Sequence, residues 1–271
     1  MLGLGTSINR GGFVSGAAAA KLLDAYSGAA AAYSLRQLSN SYSGNAVKVR
    51  RASDDTELDI GFSSGELDTS ALATHCGSSD GFVVTWYDQS GNSNNATQST
   101  AASQPKIYDA TAVRHITENG KPAIEFDGAN DGLNISPAIL ASSQKYTFTV
   151  HAVDSGDTAW SIFCETVTTD VVPLAQSGSG SGIVFSYTLN SLHKDGGSAF
   201  SGTRNDLYSA YTSAGQTLTT IDFSGDGIGF LFQRNGFLMT GTAQEIVIYG
   251  SDQSSNRTAI EAEINTFYSI F

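Results

Sequence analysis

The sequence predicts an all-β fold, an antiparallel two-sheet β-sandwich closed by a short C-terminal helix. Short runs in which apolar and polar residues alternate recur along the 271 residues, and such alternation is typical of strands with one buried face. Turns rich in Gly, Asn and Asp separate these runs, and the chain has 29 glycines and only four prolines. Hydrophobic residues make up 40% of the chain, which is enough to fill a core.

The predicted elements follow one another along the chain. A short helix or turn is expected in residues 17–26, where alanine is abundant. In residues 46–51, Val47 and Val49 alternate with Lys48 and Arg50, which predicts a strand. Further strands are predicted at residues 58–62, 81–87, 123–126, 145–153, 161–166, 182–189, 218–223, 227–232 and 243–249. Residues expected to point into the core are Val47, Val49, Ile60, Phe82, Val84, Ile124, Phe126, Phe148, Phe185, Ile246 and Ile248.

The end of the chain predicts a helix, because Ile260, Ile264, Phe267 and Phe271 recur at helical spacing after polar capping residues at 254–256. The sequence SGSGSG at 177–182 is interpreted as a hairpin loop rather than a linker, since strands are predicted on both sides. We therefore expect one domain over residues 17–271, preceded by an N-terminal arm of residues 1–16.

The charge balance excludes several partners. Fourteen Lys and Arg against 26 Asp and Glu give a net charge of −12, and such a surface repels nucleic acid and anionic membranes. No apolar stretch approaches the ~20 residues that span a bilayer. The four histidines, at positions 75, 115, 151 and 193, show no metal-ligand spacing. Cys76 is expected to be a buried thiol.

Two loops rich in oxygen-bearing side chains are the best candidates for an ion. One contains Asp88, Asn92 and Asn95, and the other contains Asp127 and Asp131. Calcium prefers such ligands, but the same residues are equally typical of turns between strands. No other cofactor is expected. Trp86, Tyr87 and Trp160 are candidate glycan contacts, and core packing is the alternative for each of them.

Several segments carry a family resemblance. The stretches VRRASDD (49–55), WYDQSGN (86–92), NGKPAIEFDGANDGL (119–133) and QEIVIYGSDQSSNRTAIEAEIN (244–265) stand out. The first two resemble the catalytic domain of family 54 α-L-arabinofuranosidases, which implies a concanavalin A-like jelly roll. The last two are similar to laminin-G-like and concanavalin A-like modules, and both are familiar from phage structural proteins with a short MLGLG-type arm.

Activity is not implied as strongly as the fold. The resemblance implies a nucleophilic glutamate in mid-domain beside a vicinal cysteine pair, where this chain has a single Cys164 next to Glu165. It also implies an acid/base aspartate late in the domain, where residues 229–236 offer Gln233, Arg234 and Asn235. None of these three side chains can protonate a leaving group. Asp222, Asp226 and Glu245 are further carboxyl candidates near Glu165, although capping of turns is the alternative for them.

Our interpretation of the sequence is a noncatalytic, lectin-like structural or decoration protein of a phage virion. The sequence shows no export signal at its start, yet its acidic, lysine-poor composition is typical of proteins that work outside cells. Leu2, Leu4 and Phe13 would attach the arm to other virion proteins or to further copies of the chain, and a cell-surface glycan is a further expected partner. The alternatives are a glycoside hydrolase of α-L-arabinofuranosidase type and a soluble carbohydrate-binding module.

Overall fold

The fold is mostly antiparallel β-structure. The computed structural model describes residues 19–140, 143–154, 159–164, 171–182, 188–225, 227–232 and 238–271. The strands in these residues are β1 (Ala29–Ser34), β2 (Val47–Arg51), β3 (Glu57–Ile60), β4 (Phe62–Ser63), β5 (Glu66–Leu67), β6 (Gly81–Trp86), β7 (Ala96–Thr97), β8 (Lys106–Asp109), β9 (Arg114–His115), β10 (Thr117–Glu118), β11 (Lys121–Pro122), β12 (Ile124–Asp127), β13 (Leu133–Ile139), β14 (Ser143–Val153), β15 (Ala159–Cys164), β16 (Val171–Gln176), β17 (Thr188–Lys194), β18 (Thr217–Gly225), β19 (Ile228–Leu231) and β20 (Thr240–Tyr249). The helices are α1 (Leu22–Ala25), α2 (Thr69–Cys76), α3 (Arg204–Thr212) and α4 (Arg257–Tyr268).

Within the described ranges, sixteen strands form one continuous sheet. Its main order is β16-β15-β19-β13-β7-β6-β8-β12-β20-β14-β18-β17, with β1, β2, β3 and β9 paired beside this path. Ala175 of β16 and Leu192 of β17 belong to the same hydrophobic core although they lie at opposite ends of the order. The sheet is therefore curled into a half-barrel around that core. The prediction of a mostly antiparallel β-fold is confirmed, whereas two separate sheets are not.

Helix α4 covers the outer face of this sheet. Ile260, Ile264 and Tyr268 recur every four residues and are buried against Phe148 of β14 and Val247 of β20 in a second hydrophobic core. Burying an isoleucine side chain contributes about 1.5 to 3 kcal/mol. Packing therefore stabilises the predicted C-terminal helix, and the prediction of a helix with Ile260 and Ile264 on its apolar face is confirmed. Phe271 lies beyond the end of α4 and is exposed, so its predicted place on that face is wrong. The predicted capping is also wrong for Asn256, whose side chain makes no capping hydrogen bond.

Two further helices were not predicted. The side chain of Asp68 accepts a hydrogen bond from the backbone N–H of Ala71 and caps α2. Thr203 and Asp206 form a reciprocal capping box at the start of α3. Both helices are only eight or nine residues long, too short for a clear apolar periodicity, so the capping residues were the available signal.

The predicted core is largely correct. The predicted residues that the structure buries are Val47, Val49, Ile60, Ile124, Phe126, Phe148, Ile246 and Ile248. Phe82 and Val84 are only half-buried, so their predicted orientation is wrong, and Val83 between them is buried instead. Because residues 82–84 are all apolar, the sequence alone did not decide which of them face the core. Phe185 lies outside the described residues, as do Leu2, Leu4 and Phe13 of the predicted arm.

Candidate functional site

A row of side chains crosses four neighbouring strands on the face of the sheet that points away from the core. Phe82 of β6 pairs with Lys106 of β8, Lys106 pairs with Glu125 of β12, and Glu125 pairs with Thr242 of β20. All four are half-buried, whereas Ile124, next to Glu125 in its strand, is fully buried. Since successive strand residues point to opposite faces, the register places one aromatic, one cationic, one acidic and one hydroxyl side chain side by side.

A cavity of about 460 Å³ lies beside this row. Its walls combine the apolar Phe82, Ala101, Ala102 and Phe126 with the polar Gln104, Lys106, Glu125, Asp127, Asp131 and Thr240. Gln104 is held in place because its side chain accepts a hydrogen bond from Arg50 Nε at 2.6 Å and donates to the carbonyl of Gln98 at 2.9 Å. One wall of the cavity is therefore fixed by the protein's own hydrogen bonds.

Asp131 is the most deeply buried carboxyl group of this cavity, with 7% of its surface exposed. Its Oδ2 atom accepts a hydrogen bond from the backbone N–H of Asp127 at 3.1 Å. Burial, reinforced by the negative charge of Asp127, raises the pKa of Asp131 to about 7. Near neutral pH this carboxyl group is therefore partly protonated, and it can donate a hydrogen bond as well as accept one.

A second cavity, of about 320 Å³, lies on the other side of Glu125. Both cavities share Glu125 as a lining residue, and we call them together the acidic groove. The second cavity is lined by Asp109, Arg114, Ile116, Thr117, Glu118, Glu125, Asp154, Gly241 and Thr242. Desolvation raises the pKa of Glu125, and the charges of Asp109 and Asp154 add to this effect while Lys106 opposes it. Carboxyl groups thus outnumber the cations Lys106 and Arg114 among the lining residues.

The predicted ion loop at Asp88 forms a turn instead of presenting free ligands. Asp88 Oδ1 accepts hydrogen bonds from the N–H groups of Ala32 and Ser90, both at 2.8 Å. Its Oδ2 accepts from the Ser90 hydroxyl and from the Asn94 N–H. Both carboxylate oxygens are therefore occupied by protein donors.

The two asparagines of this loop are also hydrogen-bonded. The Asn92 side chain donates to the carbonyl of Ala29, and the Asn95 side chain accepts from the backbone N–H of Asp88. Asn92 thus ties the loop to β1, and Asn95 closes the loop on itself. In the second predicted loop, Asp127 Oδ1 accepts from the N–H groups of Ala129 and Asn130. In the part of the chain that the structure describes, no three His, Cys, Asp or Glu residues form a metal-ligating group, and calcium binding stays a prediction.

The three candidate glycan-contact aromatics are not brought together. Trp86 is fully buried and packs against Tyr33, with 5.8 Å between the ring centroids. Tyr87 is half-buried, and its hydroxyl donates to Asp59 at 2.6 Å. The side chain of Trp160 lies outside the described residues. Trp86 therefore takes the alternative role of core packing, while contact of Tyr87 with a glycan stays a prediction.

Cys76 is a free and buried thiol, as predicted, and burial raises its pKa to about 11. His151 is also fully buried, and desolvation lowers its pKa to about 3. One ring nitrogen of His151 is hydrogen-bonded to Thr219 at 2.9 Å. Neither group is a reactive nucleophile or base near neutral pH.

The carboxyl groups proposed near Glu165 have separate environments. Asp222 accepts hydrogen bonds from the side chains of Gln144 and Asn190. Glu245 is fully buried, and Arg36 Nε lies 2.7 Å from its Oε2 atom. Glu165, Asp226 and residues 233–236 lie outside the described residues, so the predicted lack of a carboxyl pair there stays a prediction.

The strands that adjoin these undescribed residues are neighbours. β15 pairs with β19, with Phe163 opposite Leu231 and Cys164 opposite Phe230. The backbone N–H of Phe232 also donates to the carbonyl of Ile162 at 2.9 Å. The two chain segments for which the family resemblance implies catalytic groups therefore adjoin strands that pair with each other.

Comparisons with known proteins point to one group of enzymes. A family model described as alpha-L-arabinofuranosidase B, catalytic, matches residues 24–170. No curated protein matches the chain. Similar solved structures include a GH54 α-L-arabinofuranosidase soaked with a cyclic sulfate inhibitor and an arabinofuranosidase complexed with arabinofuranosyl-α-1,2-xylobiose, each with a TM-score of 0.55 and 19% identity. A Glu-to-Gln variant of a GH54 α-L-arabinofuranosidase soaked with 4-nitrophenyl α-L-arabinofuranoside gives a TM-score of 0.54 at 18% identity.

These structural matches extend over most of this chain. Each covers 87% of it but only 62% of the other protein. At such low identity the likeness shows a shared fold.

Proposed function

This chain belongs to the alpha-L-arabinofuranosidase B catalytic family, and from that membership we propose that it hydrolyses α-L-arabinofuranosides. The observation that carries the proposal is the match of the family model to residues 24–170, more than half of the chain. The fold shared with GH54 α-L-arabinofuranosidases supports it. We also propose that the fold is the concanavalin A-like jelly roll that the sequence predicts.

Membership of this family corrects the main interpretation of the sequence. The expectations of a noncatalytic, lectin-like virion protein and of no enzymatic activity are wrong, because the family model and the similar structures are those of glycoside hydrolases. The segments that lack the family's catalytic groups are short, whereas the family match extends over 147 residues. A phage origin is not shown. The attachment of residues 1–16 to another polypeptide stays a prediction.

Hydrolysis by the retaining mechanism needs two carboxyl groups, one as nucleophile and one as acid/base. We propose Glu165 and Asp226 for these roles. β15 ends at Cys164, opposite Phe230, and β19 begins at Ile228, shortly after the connection that contains Asp226. Positions 165 and 226 in the chain thus adjoin neighbouring strand ends. Asp222 and Glu245 are less suitable because each is already hydrogen-bonded to other side chains.

The test is release of 4-nitrophenol from 4-nitrophenyl α-L-arabinofuranoside by the purified protein. Glu165→Gln and Asp226→Asn are each expected to lower kcat by at least about 100-fold, because an essential nucleophile or proton donor is lost. Asp222→Asn is the matched control, and it is expected to retain activity. Hydrolysis that survives in both variants would disprove the residue assignment alone, and a wild-type protein without activity would disprove the function.

A further inference from the structure

The acidic groove lies on other strands than those that adjoin the proposed catalytic residues. Its lining residues lie on β8, β12 and β20 and in the neighbouring loops, whereas the proposed catalytic carboxyl groups adjoin β15 and β19. The two cavities, of about 460 and 320 Å³, are each in the range of small-molecule sites. Because they share Glu125, a ligand that fills both must be elongated.

The lining excludes some ligand classes. Its carboxyl groups repel an anion, and Lys106, one of its two cations, is already paired with Asp80 at 3.2 Å. The groove can therefore accept neutral or cationic ligands.

The hydrogen-bonding groups of the groove favour a neutral ligand with many hydroxyls. Asp131 is more than nine-tenths buried and accepts one hydrogen bond, at Oδ2, which leaves its Oδ1 without a donor among the described residues. With a pKa of about 7, this side chain can donate to a hydroxyl as well as accept from one.

The other lining groups supply both kinds of hydrogen-bonding partner. Lys106 and Thr240 are donors, and Glu125 and Asp127 are acceptors. The Thr242 hydroxyl already donates to Glu118 at 3.3 Å and can still accept a hydrogen bond. Phe82, Ala101 and Ala102 add an apolar wall that suits the C–H face of a sugar ring. A cation would use the acceptors alone.

We propose that the acidic groove is a glycan-binding site, separate from the proposed catalytic centre, that holds a chain of neutral sugars across Glu125. The choice of a glycan rests on the proposed function, since a protein that removes arabinofuranosyl groups from a polymer gains affinity by binding the polymer at a second place. The groove would then determine preference for polymers over small substrates.

Two variants test this site in the whole 271-residue chain. Ala102 is exposed on the rim, so Ala102→Trp fills the larger cavity without removing any hydrogen-bonding group. Glu125→Ala removes the residue that the two cavities share. Ala73→Trp is the matched control, because Ala73 is an exposed alanine of α2 outside the groove. Unchanged melting temperatures would show that all three variants are folded.

The measurements are binding of xylohexaose and soluble arabinoxylan by calorimetry and affinity electrophoresis, together with hydrolysis of 4-nitrophenyl α-L-arabinofuranoside. We expect both groove variants to bind the glycans at least tenfold more weakly, while Ala73→Trp binds like wild type. Hydrolysis of the small substrate is expected to be unchanged in all three.

The outcomes separate this site from the proposed function. Glycan binding that is equal in wild type and both groove variants would overturn the site, as would a wild-type protein that binds neither glycan. A groove that binds spermine but no glycan would show that it takes cations and would equally overturn the proposal. Glycan binding lost in the groove variants of a protein that hydrolyses nothing would support the site and contradict only the proposed function.

Discussion

The two halves of β20 differ in how the carboxyl groups beside them are paired with cations. Near the start of the strand, Thr240 and Thr242 line the acidic groove, where Glu125, Asp127 and Asp131 outnumber the nearby cations. Farther along, Glu245 is fully buried, yet Arg36 donates to both of its carboxylate oxygens, at 2.7 and 2.9 Å. Arg36 also donates two hydrogen bonds of 2.9 Å to Glu263 of α4.

This difference separates carboxyl groups that hold the fold together from those that are available to a ligand. A buried charge is tolerated where a partner satisfies its hydrogen bonds, and the pair then fixes neighbouring elements, here β20 and α4. Where no cationic partner is present, burial raises the pKa of the carboxyl group instead, as it does for Asp131. The comparison leads to four predictions about stability and titration.

The largest effect is expected from Arg36→Met. The substitution leaves Glu245 buried without its counter-ion, and breaking a buried pair in this way costs about 3 to 5 kcal/mol of the free energy of unfolding. Urea denaturation measures the loss. Lys48→Met, which breaks the more exposed pair with Glu57, is the control and is expected to cost less than about 1 kcal/mol. Equal losses in the two variants would contradict the structural role of the Arg36–Glu245 pair.

The next largest effect concerns Asp131. Its pKa in the folded protein is about 7, against an ordinary value of 3.8, so folding favours the protonated form. Its contribution to stability is therefore fully present below pH 4 and is lost as the pH rises toward 7. Asp131→Asn is expected to stabilise the protein at pH 8 by about 1 to 3 kcal/mol, with little change at pH 4. A gain in melting temperature that is the same at both pH values would argue against a raised pKa.

A smaller effect of the same sign is expected at Glu125. Desolvation raises its pKa as well, but the side chain is only half-buried, so water screens its charge more effectively. At pH values above the normal titration range of glutamate, Glu125→Gln should increase the melting temperature, but by less than Asp131→Asn does. A lower melting temperature of Glu125→Gln at pH 8 would show that the negative charge of Glu125 does not destabilise the folded protein.

The smallest effect is expected from Lys106→Met. The positive charge of Lys106 lowers the pKa of both Glu125 and Asp131, although other effects dominate for each of them. Its removal should raise both pKa values by less than about 1 unit. Carboxyl-carbon NMR titration measures these shifts, and a decrease in either pKa would show that Lys106 does not act on the groove.

The sequence predicted local structure better than it predicted the site. Alternation identified the strands around Val47 and Val49, and helical spacing identified α4 through Ile260 and Ile264. Both patterns depend on neighbours within a few positions of the chain. The orientation of Phe82 was not predictable, because residues 82–84 are all apolar and do not alternate with polar residues.

The groove depends on contacts between residues that are distant in the sequence. Glu125 meets Lys106 and Thr242 only because β12 lies between β8 and β20. Asp131 was singled out from its loop, but as an ion ligand; its raised pKa follows from burial that only the fold produces. Asp88, in a loop of similar composition, is instead fully hydrogen-bonded. Composition alone does not distinguish these two aspartates.

The central claim is that this chain hydrolyses α-L-arabinofuranosides, and a single measurement tests it most directly. Purified protein incubated with 4-nitrophenyl α-L-arabinofuranoside is expected to release 4-nitrophenol and arabinose in equal amounts, and Glu165→Gln is expected to lower the rate of release by at least about 100-fold. A wild-type protein that releases no more 4-nitrophenol than buffer alone would contradict the claim.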